Sequence, residues 1–574
     1  MFLDVRKKKI VVSVVYSLLF VFVLSVLLWK CRFGYSFWDE AFYLTIPYRF
    51  CKGDVPLLHE WHLTQLGGLI LYPLMKIRLW LNPGMDGIIL SFRYLFTMIW
   101  ALCALFLFLR LKCFSLTGSA VASLTFLIYT HFGIMALSYY TCGIMFLLVS
   151  CVMLATARKL VRLQYVIAGV LFAGAVLCCP YLVLLYILFT VCFLISIRKR
   201  SAYMRKVWIW TSAGCAILFG LFCLFLFSRG VTPGKIMETA SLMLMDPEHP
   251  RQSFKRVVFK YFSAIVGSCA AAPFCMAAAG LVLWLSVKKK ISFYTGLIVT
   301  CIACMVWELW FLFFDPYICF FLFPLNLIVP YCVLHCDSSK VRIPFFYIWL
   351  PGLIYTFCMH MASNQNFYAI SSVSTVMCVA GTVILVATVS EKAEDTRMKQ
   401  TPSGQPDKIR RPRAVYLAVF VLLMIQLCTL GWFRYDFIYG EKGGISEQTE
   451  VCDSGPCGGI RMIPGRLQLY RDMETDMRVI REDQKIRKVL ILTRDITKYL
   501  LAEKEIASYS TWLSNVNDQS IHRLEQYFAL FPEKKPDVIF VNDSFKRYVG
   551  YFQRYGYRAE KMKTGVYLYK KQQS

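Results

Sequence analysis

The residues best placed to do chemistry lie between Ser36 and Leu74, in SFWDEAFYLTIPYRFCKGDVPLLHEWHLTQLGGLILYPL. Asp39 and Glu40 form an acidic pair beside Trp38, and a second polar cluster follows at His59, Glu60, His62 and Gln65. Carboxylates held at a membrane boundary, shielded from bulk water, have raised pKa values and act as general bases. The competing reading is that Asp39 and Glu40 only solvate a helix start. His59 and His62, with Glu60 between them, are also a candidate ligand set for Zn²⁺ or Mn²⁺. A divalent cation is therefore the one candidate cofactor.

These residues need a scaffold, and the composition says which kind. The 574 residues are 58% hydrophobic and 17% charged, against about 25% charged in soluble domains. An ordinary soluble enzyme, a disordered chain and a small disulfide scaffold are excluded. Lys and Arg number 63 against 35 Asp and Glu, a net charge of +28. That excess clusters at the ends of apolar runs: Arg6 to Lys9, Arg158 to Arg162, Arg198 to Lys206, Lys288 to Lys290 and Lys408 to Arg413. Such clusters mark cytoplasmic loops rather than a nucleic-acid surface.

The expected fold class is a polytopic all-α membrane protein followed by an α/β domain. The spans are read as Ile10–Trp29, Ile88–Leu109, Leu116–Leu137, Tyr140–Ala157, Leu163–Cys178, Tyr181–Ile197 and Val207–Phe227. Then come Tyr261–Leu285, Ile291–Phe314, Tyr317–Leu334, Pro344–Met361, Tyr368–Val389 and Tyr416–Phe433. That is about 13 helices at about 17–25 apolar residues each. With the N-terminus cytoplasmic, the outer segments are Lys30 to Gly87, Ser228 to Lys260 and everything after Phe433. Leu66 to Leu81 reads as an amphipathic helix in the interface, and the polar stretch Ser390–Arg413 as a flexible cytoplasmic tether.

From Arg434 the composition becomes that of a soluble domain. VLIL (Val489–Leu492) and DVIFV (Asp537–Val541) read as strands alternating with helical patterns at Ser520–Leu530 and Ser544–Tyr555. No phosphate-binding glycine loop follows the strands, so this domain reads as a cap over the outer face. Most of the 23 Cys lie singly in apolar runs; Cys452 and Cys457 are a candidate disulfide.

The order helix, aromatic-Asp-Glu, Tyr, Gly-Asp-x-Pro, then Glu, Gln and Pro resembles the first outer loop of GT-C glycosyltransferases. These are polytopic enzymes using polyprenyl-phosphate sugars, such as aminoarabinose lipid transferases and protein mannosyltransferases. The matching residues are Asp39-Glu40, Tyr43, Gly53-Asp54-x-Pro56, Glu60, Gln65 and Pro73, with Arg93 opening the next span. Two departures are Cys179-Pro180, where the family carries a Lys-Pro-type turn, and Tyr139-Tyr140, where it carries acids.

The resemblance implies an inverting glycosyltransferase at the outer face of a bacterial plasma membrane. Its partners would be a polyprenyl-phosphate sugar donor, a lipid, glycan or protein acceptor and membrane lipids, without nucleic acid. Asp39 would be the base, with Glu40 and Glu60, the other two catalytic residues, orienting the sugar or acceptor. Tyr43, His62, Gln65, Arg93, Glu308 and His360 would bind substrate. Arg49, Lys52, His249, Arg251, Lys255 and Arg256 would hold the lipid phosphate, since Arg pairs bidentately with phosphate and Lys acts as a point charge. Glu308 is the one carboxylate deep in a span, where insertion costs about 2.5–3.5 kcal/mol, so it faces either the site or a polar partner on another helix. The competing functions are a flippase of lipid-linked glycans, which predicts repeated halves, and a non-catalytic envelope-assembly protein.

Overall fold

The computed structural model describes residues 2–157, 161–198, 202–244, 253–314, 320–336, 338–363, 367–400, 410–441, 443–513 and 516–570. Among them, seven helices are long and apolar enough to cross a bilayer: Lys9–Lys30, Ile88–Leu111, Tyr203–Ser228, Phe293–Trp310, Ser339–Ala362, Phe367–Lys392 and Ala418–Asp436. Six shorter apolar helices join them: Leu116–Ile128, Tyr139–Ala155, Arg162–Cys178, Pro180–Ser196, Ala272–Val287 and Phe320–His335. The chain is a mostly helical, multi-pass integral membrane protein. Leu18, Val21 and Phe22 of the first helix are exposed, as lipid contact allows. Phe367–Lys392 is buried along nearly its whole length. It is rich in small and hydroxyl residues, and Thr375 and Thr382 return their hydroxyls to the carbonyls of Ser371 and Cys378 at 2.7 and 3.0 Å. That pattern lets neighbouring helices pack close without orphaned polar groups.

Three expected elements fold otherwise. The apolar run Leu116–Leu137 is helical only to Ile128. Phe132 and Gly133 take φ of +50° and +69°, and two consecutive left-handed residues cannot continue a right-handed helix. The rest of the run becomes an irregular loop. Tyr261–Leu285 divides into Phe254–Val266 and Ala272–Val287, because Gly267 caps the first helix and Pro273 starts the second. The tether begins as helix: Phe367 continues unbroken to Gln400, since Glu391 to Gln400 holds good helix formers and neither Gly nor Pro. Its remainder, 401–409, lies outside the described residues.

The segment between the first two long apolar helices, read from the sequence as the first outer loop, folds into two helices, Asp39–Cys51 and Gln65–Leu81. A Cβ on Gly67 would come within 2.7 Å of the Tyr139 Cβ, so glycine there brings Gln65–Leu81 against the start of Tyr139–Ala155. The ends of the first and last long apolar helices are tied together. Lys30 Nζ donates to the carbonyls of Arg434 and Phe437, and Arg434 donates to the Gly133 carbonyl at 2.7 Å. The cation thus sits where the last helix's unpaired carbonyls concentrate negative charge.

The C-terminal region carries strands β1 (Glu450–Val451), β2 (Arg461–Met462), β3 (Lys488–Leu492), β4 (Glu505–Ile506), β5 (Val538–Asn542), β6 (Tyr557–Lys561) and β7 (Gly565–Lys570). β1 and β2 form a hairpin, and the other five form a mixed sheet in the order β4-β3-β5-β7-β6. β3 pairs parallel with β4 and β5, while β7 runs antiparallel to β5 and β6. The continuous apolar runs of β3 and β5 are buried, as central parallel strands require. Cys452 and Cys457 are both buried and both free.

This region is sewn onto the first outer loop through backbone groups. Gly34 N–H donates to Arg461 O at 2.7 Å, Thr497 N–H to Phe37 O at 3.1 Å, and Trp61 N–H to Tyr509 O at 2.7 Å. Such bonds fix the loop against the sheet whatever the side chains do.

Candidate active site

Asp39 is the first residue of its helix, where the helix dipole favours a carboxylate, and its side chain is half-buried. The Tyr439 hydroxyl donates to Asp39 Oδ2 at 2.8 Å, and the Tyr43 hydroxyl, one turn along the helix, reaches Oδ1 at 3.5 Å. Burial pushes the Asp39 carboxyl up to about 6, against the hydroxyl bond from Tyr439 and with the nearby Glu40 charge.

Asp39 faces a cavity of about 560 Å³. One wall is the first outer loop, with Phe42, Tyr43, His62 and Thr64. The second is the irregular turn and the helix start beyond it, with His131, Phe132, Tyr139 and Tyr140. Cys178 to Tyr181, at the break between two apolar helices, and Met359, Ala362 and Ser363 supply a third; His360 is not among the lining residues. Tyr439 and Trp512 close it from the C-terminal region. The rings pack on one another: Tyr139 and Tyr140 at 4.0 Å, His131 and Tyr140 at 4.7 Å, Phe42 and Trp512 edge-to-face at 5.1 Å. Asp39 is the one carboxylate among the described lining residues, and none of these is Lys or Arg.

The other acids of the loop lie behind this wall. Glu40 accepts from Arg93 at 2.6 Å, and Arg93 also donates to the Cys31 carbonyl at 2.9 Å. Arg49, with no exposed surface, donates to Asp54 and to Glu60, each at 2.5 Å, and to the Ser508 carbonyl at 2.8 Å. Lys534 of the C-terminal region completes the pair with Asp54. Burial opposes the charge on Asp54, yet Arg49 and Lys534 hold its carboxyl below the ordinary range. Glu60 also accepts the His62 backbone N–H at 2.9 Å, which aims the His62 ring along the cavity side.

Of the remaining sequence candidates, Gln65 is buried and accepts the Leu57 N–H at 2.6 Å. Lys52 is exposed over the Tyr48 ring. Lys255 and Arg256 are exposed on the helix Phe254–Val266. That helix is joined to the cavity's third wall where His360 Nε2 meets the Val257 carbonyl at 3.2 Å. His249 and Arg251 lie outside the described residues. Glu308 is not among the lining residues; it accepts from Gln426 of the last membrane helix at 2.5 Å.

The candidate metal ligands diverge. Glu60 is committed to Arg49, the His59 ring nitrogen Nδ1 accepts the Val55 N–H at 3.1 Å, and His62 Nδ1 bonds Thr64 at 2.7 Å. Among the described residues no group of three His, Cys, Asp or Glu is placed to hold a metal ion. Burial holds His59 down at about 4, so it is neutral beside Asp54 at pH 7.

Sequence reasoning did not reach Tyr439 and Trp512 as site residues, and no local signal marks them. Tyr139 and Cys179 stand out in the sequence only as departures from the family pattern, and His131 carries no signal there.

No family model matches the chain, and no curated protein matches it. Among solved structures it is similar to ArnT from Cupriavidus metallidurans bound to undecaprenyl phosphate, at 10% identity and a TM-score of 0.47, over 97% of each chain. It is also similar to the archaeal oligosaccharyltransferase AglB from Archaeoglobus fulgidus in complex with an inhibitory peptide and a dolichol-phosphate. There the identity is 12% and the TM-score 0.42, over 99% of this chain and 74% of that one.

Proposed function

We propose that the protein is a membrane glycosyltransferase that moves a sugar from a polyprenyl-phosphate donor to an acceptor hydroxyl at the outer face of the membrane. The observation that carries this reading is Asp39: the one carboxylate among the described residues lining an aromatic cavity, held by two hydroxyls and pushed by burial up to about 6. A base with that pKa is ionised at pH 7 yet still basic enough to accept a proton in the transition state. In the reaction, Asp39 takes the proton of the acceptor hydroxyl as its oxygen bonds to the anomeric carbon. The bond from that carbon to the phosphate oxygen breaks on the opposite side, and its electron pair leaves with the polyprenyl phosphate. Configuration inverts.

In this reading Glu40 and Glu60 are positioning residues. Each spends its charge on an arginine, Arg93 or Arg49, and so fixes the two ends of the loop that carries Asp39 and His62. Lys255 and Arg256 are exposed on the helix Phe254–Val266, where a phosphate at headgroup level would meet them. The spans, the outward C-terminal domain and a lipid, glycan or protein acceptor belong to the same proposal.

The test is turnover in nanodiscs with a panel of polyprenyl-phosphate sugars, reading release of free polyprenyl phosphate with and without a chelator. Release by the wild type that is lost in Asp39→Asn supports the transferase. Equal behaviour of folded wild type and variant removes Asp39 as the base.

A further inference from the structure

We propose that the cavity is built for an uncharged sugar, with Trp512 of the C-terminal region as its stacking platform; this rests on the transferase reading above. None of the described lining residues is Lys or Arg, so a sugar bearing a carboxylate or phosphate would lose its hydration with no cation to meet it, and that desolvation is uncompensated. An amino sugar meets the opposite difficulty. The only carboxylate among the described lining residues is Asp39, and an ammonium paired there would lower the pKa of the base and occupy it. What the walls offer instead is hydroxyls and rings.

Tyr43, Thr64, Tyr139, Tyr140, Ser363 and Tyr439 bring hydroxyls, which suit a substrate that donates and accepts through neutral OH groups. The aromatic faces suit its C–H edges, whose partial positive charge is attracted to the negative face of a ring. Trp512 is the largest ring in the lining. Its loop is immobilised on both sides of the first outer loop, by Ser508 O accepting from Arg49 at 2.8 Å and Tyr509 O accepting from Trp61 at 2.7 Å. Its indole meets Phe42 edge-to-face and it is half-buried, which leaves ring surface for the cavity. A platform held this way is preorganised and loses little entropy on binding.

The experiment uses the full chain in nanodiscs and donors of one prenyl length carrying a neutral hexose, a hexuronate or an amino hexose. The neutral donor should be turned over, with both charged donors at least about 10²-fold lower in kcat/KM. Trp512→Ala should raise KM for the neutral donor about tenfold and leave binding of sugar-free polyprenyl phosphate unchanged, and Trp512→Phe should restore most of the loss. A charged donor used as well as the neutral one overturns the proposal. So does a Trp512→Ala variant that binds sugar-free carrier as weakly as it binds donor, because the ring would then serve the prenyl chain. If no donor releases carrier, the transferase reading fails, and binding of the three donors decides the sugar separately: neutral tightest supports the inference, any other order overturns it.

Discussion

Asp39 faces the cavity with hydroxyl partners, whereas Asp54 lies behind the wall between Arg49 and Lys534. Burial is the largest influence on both. The difference is the cations: they hold Asp54 below the ordinary range, and without them Asp39 rises to about 6. One outer loop therefore holds an acid committed to architecture and an acid kept ready for a proton. Residue type does not separate them; partners do.

The largest effect should come from Asp39→Asn. Removing a general base lowers turnover by about 10²–10⁴-fold, read as release of polyprenyl phosphate. Stability should move the other way. The folded-state pKa of Asp39 lies above its unfolded value of 3.8, so its contribution is present below pH 3.8 and lost as pH rises through about 6. At pH 7.5 the neutral asparagine should therefore leave the melting temperature unchanged or higher. A variant that is inactive because it unfolds would abolish the contrast with Asp54.

Arg49→Met probes the other member of the comparison. It leaves Glu60 without its cation and Asp54 with Lys534 alone, and breaking a buried pair costs about 3–5 kcal/mol. The loss should appear as early melting and as protease sensitivity of the C-terminal region, whose Ser508 carbonyl also depends on Arg49. For Asp54 the sign is reversed relative to Asp39: its pKa is depressed, so its stability is present above pH 3.8 and lost as pH falls through the folded value. Asp54→Asn should thus destabilise at pH 7, by an amount that shrinks as pH falls below 3.8.

The acids and their order were legible in the sequence because they share one short segment, and the helix Asp39–Cys51 places Tyr43 one turn from Asp39. The alternation of VLIL and DVIFV with helical patterns was legible for the same local reason. Hydropathy could not find the turn at Phe132 and Gly133, since an apolar loop and an apolar helix have the same composition. Nor could it find Tyr439, which is 400 residues from its partner Asp39, or Trp512. Those contacts arise only when the last membrane helix ends beside the first outer loop and the sheet is stitched across it. Arg49 and Arg93 read as phosphate and substrate ligands because a cation's partner is not visible until the chain folds.

Smaller effects should come from the neighbours of Asp39, and here the direction is the test. The wild-type rate should fall on the acid side with a midpoint near pH 6, where Asp39 protonates. Tyr439→Phe removes a hydrogen bond that stabilises the carboxylate; at about 1.5 kcal/mol for a bond to a charged group, the midpoint should rise by about one unit. Glu40→Gln removes a negative charge that disfavours the carboxylate, and it leaves Arg93 unneutralised nearby, so both changes push the midpoint down. Opposite shifts, with the plateau rate at pH 8 little changed in Tyr439→Phe, would identify Asp39 as the titrating base. Shifts of the same sign would mean that another group sets the limb, and the distinction drawn between Asp39 and Asp54 would then concern stability alone.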